Sequence, residues 1–99
     1  MKQFRTYLLA LDLYKACKDL KIPYYLKDQL QRASSSVVLN LAEGSAKPTQ
    51  KDRMKFYAIA FGSTREVQAI IAMEPAKLAG IHDLADHVGA CLYKLTRPG

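Results

Sequence analysis

Residues 26–46 read LKDQLQRASSSVVLNLAEGSA. Leu26, Leu30, Ala33, Val37 and Leu41 recur at intervals of three and four, so they share one stripe of an α-helix. Gln29, Arg32, Ser36, Asn40 and Glu43 form a polar strip beside it. The spacing predicts a helix over about Lys27–Ala46, with Gly44 ending it. Ser34-Ser35-Ser36 adds little helix propensity, so tertiary packing must hold this stretch helical. Its small side chains also admit a close neighbour.

Downstream, Pro48-Thr49-Gln50-Lys51-Asp52 marks a new start: Thr49 suits an N-cap, and Asp52 sits where a capping-box partner would. This helix carries a predicted core stripe of Phe56, Ile59, Ala60, Ser63, Val67, Ile70, Ile71 and Leu78. Met54, Tyr57 and Phe61 form a second apolar patch on the opposite side. Pro75 predicts a kink or an early end near residues 71–75. Gly80 is expected as a left-handed stop before a last helix over about Asp83–Leu95. That helix has a single stripe of Ile81, Leu84, Val88, Cys91, Leu92 and Leu95.

Upstream, a helix over about Arg5–Leu20 places Arg5, Asp12, Lys15 and Asp19 on one narrow polar strip. Its apolar arc is about twice the stripe that one core requires. Pro23 separates it from the helix that follows. Four amphipathic segments with short connections predict an all-α, antiparallel up-down four-helix bundle, one domain over residues 1–99. Surplus apolar surface on the first and third helices predicts self-association through Tyr7, Tyr14, Met54, Tyr57 and Phe61.

Lys and Arg number 15 against 9 Asp and Glu, a formal net charge of +6. Hydrophobic residues make up 49% and charged ones 24%, which excludes a disordered chain on compositional grounds. No apolar run approaches the roughly 20 residues of a membrane-spanning helix. The N-terminal stretch carries Asp12 and no small-residue cleavage site, so it does not read as a signal peptide and a cytoplasmic domain is expected. Two cysteines, Cys17 and Cys91, are too few for a disulfide scaffold or a four-ligand zinc site. His82 and His87 are five apart, on different helical faces, and no Glu-x-x-His pair exists for a carboxylate-bridged metal centre. We therefore expect no catalytic group, metal, cofactor or small-molecule substrate.

Two clusters remain. Lys47, Lys51, Arg53 and Lys55 surround the start of the third helix, whose free amides already favour anions. This cluster predicts RNA or DNA binding through backbone phosphates with little sequence specificity, because no recognition helix, zinc finger or aromatic-stacking motif accompanies it. The bland alternative is a solvated face, on a scaffold that docks a partner protein and no nucleic acid. The polar strip, Arg32, Ser36, Asn40 and Glu43, is expected to hydrogen-bond to Ser63 and Glu66 across the helix pair and so set register.

The run Gln29–Gly44, QLQRASSSVVLNLAEG, resembles the pattern Q-L-x-R-A-x-x-S-I-x-x-N-I-A-E-G of a bacterial four-helix-bundle family. Phe56–Glu66, FYAIAFGSTRE, is similar to the F-x-x-I-A-x-G-S-x-x-E that follows in that family. The family includes proteins encoded in intervening sequences of large-subunit ribosomal RNA genes. It is similar to the accessory variability determinant of diversity-generating retroelements, which works beside a reverse transcriptase. The resemblance implies an up-down bundle assembled as a ring-like homopentamer, with nucleic-acid binding proposed for some members and no enzymatic activity expected.

Overall fold

The computed structural model describes residues 2–97. Its four helices are α1 (Lys2–Ala16), α2 (Tyr24–Ser45), α3 (Gln50–Met73) and α4 (Ala79–Leu95). Each packs on two neighbours in the cyclic order α1, α2, α3, α4 and back to α1, while the backbones of the diagonal pairs stay more than 8 Å apart, Cα to Cα. The body measures 40 × 20 × 18 Å, one long helix in length and two helices in each cross-direction. This is the antiparallel up-down bundle expected from the periodicity.

The core stripe of α2 is as read: Leu26, Leu30, Ala33, Val37 and Leu41 are all buried. Ser34 is also fully buried and turns its hydroxyl back to the Gln31 carbonyl at 3.2 Å. Thr6 and Thr64 do the same, to Lys2 O at 2.8 Å and Ala60 O at 2.9 Å. Small hydroxyls bonded to their own helix let neighbours approach without stranding a buried polar atom. At the start of α3, Asp52 N donates to Thr49 Oγ1 at 3.2 Å, the expected cap. At its end Glu74 is the C-cap, so Pro75 goes with an early end rather than a kink, and Leu78 drops into the core from the turn.

Four details differ from the sequence reading. First, α1 starts three residues earlier, at Lys2, and ends four residues earlier, at Ala16. Asp19 adopts φ 59°, a left-handed conformation that cannot continue a helix. Second, Gly80 is no stop: it lies in the first turn of α4, and Asp19 is the one non-glycine residue with positive φ among those described. Third, Gly44 lies inside α2 rather than ending it, and it is buried. A Cβ built there would sit 2.8 Å from Tyr57 Cε1 and 3.1 Å from Phe56 Cβ. Fourth, α3 is rotated from its predicted face. Tyr57, at 5% exposure, and Thr64 are in the core, whereas Ile59 is 50% exposed and Phe56 and Ser63 are only half-buried. The third and fourth differences share one cause: the missing side chain of Gly44 opens a slot that the Tyr57 ring fills.

Candidate nucleic-acid interface

The antiparallel topology brings the start of α1, the α2–α3 connection and the end of α4 to one end of the bundle. Lining residues agree: Phe4 and Tyr7 border a groove with Ala42 and Ser45, and Lys2 and Arg5 border another with Lys94 and Leu95. This end gathers eight cations, Lys2, Arg5, Lys47, Lys51, Arg53, Lys55, Lys94 and Arg97, against two carboxylates, Glu43 and Asp52. The excess of six equals the formal net charge of the whole chain. The other seven cations and seven carboxylates cancel along the remaining length. A basic protein has thus become a neutral rod with one cationic end, where the fields of neighbouring charges add.

Within that end the cluster singled out from the sequence is partly engaged. Lys47 Nζ lies 2.9 Å from Glu43 Oε2 and 5.1 Å from the centre of the Phe56 ring. Arg53 Nε donates to the Lys47 carbonyl at 2.8 Å and Nη2 to the Pro48 carbonyl at 3.3 Å, clamping the α2–α3 turn. Lys55 stands 3.8 Å from Asp52, and Lys51 is exposed with no ion pair among the described residues. At the α1–α4 corner no side-chain carboxylate opposes the charge among the described residues. Residues 2–11 and 87–97 contain no Asp or Glu. Lys2, Arg5, Lys94 and Arg97 take part in none of the ion pairs found among the described residues.

The polar strip is joined in part. The Ser36 and Ser63 hydroxyls share a hydrogen bond of 2.8 Å across α2 and α3. Asn40 Nδ2 donates to Ser36 O at 2.9 Å and to its Oγ at 3.1 Å. Arg32 and Glu66 flank the same shallow polar cleft, while Glu43 faces the α2–α3 turn through Lys47. Of the apolar set, Tyr7 and Tyr14 line exposed grooves between α1 and α2, with Leu11, Val38 and Leu39 beside Tyr14. Phe61 sits 6.1 Å from the Tyr93 ring, Met54 is half-buried, and Tyr57 is covered by its own chain.

Other chemistry is sparse. Among the described residues no three of His, Cys, Asp and Glu come together as a metal-binding group. Burial pushes the Cys17 thiol up to about 11, against a smaller opposing effect of its hydrogen bond with Ser34. No described helix is long and apolar enough to cross a membrane.

A family model described as 23S rRNA-intervening sequence protein matches residues 4–79. That is more than three-quarters of the chain. The chain belongs to this family. No curated protein and no solved structure matches it. In this member of the 23S rRNA-intervening sequence proteins the match stops where α4 begins, so Lys94 and Arg97 lie beyond it. The sequence reading missed these two and their neighbours Lys2 and Arg5, because no local cluster marks them. Their signal was present only in combination: an up-down topology folds the two termini and the middle turn onto one end.

Proposed function

We propose that this protein is a non-enzymatic, cytoplasmic homo-oligomer whose cationic end binds RNA or DNA through backbone phosphates. The observation that carries the reading is the placement of the whole net charge at one end of the bundle. Each phosphate neutralised releases condensed counterions, so affinity should fall steeply with salt and vary little with sequence. The family's name, which refers to ribosomal RNA, supports RNA as the first ligand to try.

Self-association, as the homopentamer the family resemblance implies, fits the largely apolar face between α1 and α2, edged by Lys18, whose ammonium lies 4.9 Å over the Tyr14 ring. There Leu8 is 43% and Leu39 65% exposed, with Tyr7, Leu11, Tyr14 and Val38 between them. Grooves of about 270 and 290 Å3 run along this face, and their lining includes no charged residue. Contiguous apolar surface of this kind marks interfaces. Tyr57 has no part in such a contact, since its own core holds it.

Fluorescence anisotropy against RNA and DNA over a salt series tests the binding. We expect measurable affinity at low salt and its loss in the charge-reversed variant Lys51→Glu, Lys55→Glu, Lys94→Glu. Arg53 is left intact because it holds the turn. No binding at low salt removes the reading. A partner protein retained after nuclease treatment, with no nucleic-acid affinity, would favour the scaffold instead.

A further inference from the structure

The α1–α4 corner differs in kind from the rest of the cationic end. A groove of about 150 Å3 runs between the first turns of α1 and the last turns of α4. Its floor is Thr6, Cys91 and Leu95, and its rim is Lys2, Arg5 and Lys94. The Thr6 hydroxyl is already committed to the Lys2 carbonyl, so the floor offers no polar competition. No carboxylate occurs in either segment that forms the groove. By contrast, three of the four cations around the α3 start are engaged, with Glu43, with Asp52 or with turn carbonyls. An incoming anion must displace those partners at one corner and no acidic side chain among the described residues at the other.

Round the last turn of α4 the cationic arc continues into a stacked pair. The Arg97 guanidinium lies over the Tyr93 ring at 4.3 Å, and that ring remains 48% exposed and rests against Phe61. A guanidinium plane backed by an aromatic ring is a surface on which an unpaired base can stack. Bases within a duplex are already stacked on one another and cannot use it. A positive groove on one side of α4 and a stacking plane on its other side, against α3, give the two elements by which single strands are held.

We propose that this groove is a phosphate track for single-stranded nucleic acid, with Lys2, Arg5 and Lys94 on the backbone and the Arg97–Tyr93 stack as a platform for one base. The proposal rests on the nucleic-acid reading above and assigns it to one corner.

Anisotropy with a fluorescent single-stranded RNA, the DNA of the same sequence and the duplex of each gives the test. Neutralising the rim in Lys2→Gln, Arg5→Gln, Lys94→Gln should weaken single-strand binding at least tenfold at low salt. Three lost phosphate contacts should also flatten the slope of log affinity against log salt by roughly 2, at about 0.7 per contact. Lys51→Gln, Lys55→Gln should change affinity less per charge removed, and Lys18→Gln, Lys21→Gln, Lys27→Gln at the far end should change it least. Tyr93→Leu should cost about fivefold on single strands, the low end for one stacked base, and nothing on the duplex. Thermal melts by circular dichroism confirm that each variant is folded. If the unaltered protein binds nucleic acid and the rim variant binds equally well, with an unchanged salt slope, the track is refuted and the broader reading survives. If the unaltered protein binds none of the four ligands, both fall together. An equal effect of Tyr93→Leu on single strands and duplex refutes the platform.

Discussion

A methyl group at residue 44 would meet Tyr57 Cδ1 at 3.0 Å and Cε1 at 2.8 Å, and Phe56 Cβ at 3.1 Å. The ring is buried and Phe56 Cβ is tied to the backbone, so neither neighbour can step aside cheaply. Gly44→Ala should therefore destabilise by about 1–3 kcal/mol, as overpacked sites do, despite the better helix propensity of alanine. Gly62, with nothing within 4 Å of its would-be Cβ, should respond oppositely. Gly62→Ala should stabilise by about 0.5–1 kcal/mol. Urea denaturation of the two variants checks both signs. Cys17 makes a second residue-scale case. Its thiol is raised from 9.0 to about 11 by burial, so the folded protein keeps it protonated where the unfolded chain does not. Its contribution is full below pH 9 and lost as pH rises towards 11, by at most about 3 kcal/mol. Denaturation midpoints at pH 8.5 and 10.5 should diverge more for the unaltered protein than for Cys17→Ala. Thiol reagents should label half-buried Cys91 first and reach Cys17 only on unfolding.

Among the elements, α3 shows how a local signal and a packing decision separate. Its start is written in the chain: Thr49 accepts from Asp52 N, and removing that oxygen in Thr49→Ala should cost about 1 kcal/mol in a thermal or urea melt. Its face is not. Two apolar arcs flank α3, one holding Ile59 and the other Tyr57, and hydrophobicity alone does not rank them. The vacancy at Gly44, thirteen positions before Tyr57 and on another helix, admits that ring and turns Ile59 outward. The end of α1 is a comparable case. Lys18, Asp19 and Leu20 fit a helical pattern, yet Asp19 takes φ 59° so that the chain can reverse into α2 within seven residues. Asp19→Gly should relieve that conformation and raise the melting temperature, by an amount set by the roughly 1 kcal/mol penalty for a side chain there.

For the molecule as a whole, two surfaces adjoin: a cationic end, and a largely apolar face along α1 and α2 whose groove at Phe4 and Tyr7 reaches that end. They predict separable behaviours. Leu8→Glu with Leu39→Glu places charge on exposed positions of that face, so helical content and melting should hold while the mass by light scattering drops from the oligomer to the 11.1 kDa chain. An unchanged mass would move the contact elsewhere. High salt should act the other way, abolishing nucleic-acid affinity while leaving an apolar assembly intact.

Much of this was legible without coordinates. Helix number, the core stripe of α2, the Thr49 cap, an interruption near Pro75 and the family all depend on spacing within a short window, and a chain carries that information locally. The face of α3, the role of Gly44 and the identity of the cationic end do not. Each is settled by residues far apart in sequence that folding makes neighbours: Gly44 with Tyr57, Lys2 and Arg5 with Lys94. Periodicity tells which sides of a helix are apolar, but which apolar side faces inward depends on the space the other helices leave. Likewise composition counts charges, while their field depends on where an antiparallel bundle puts its ends.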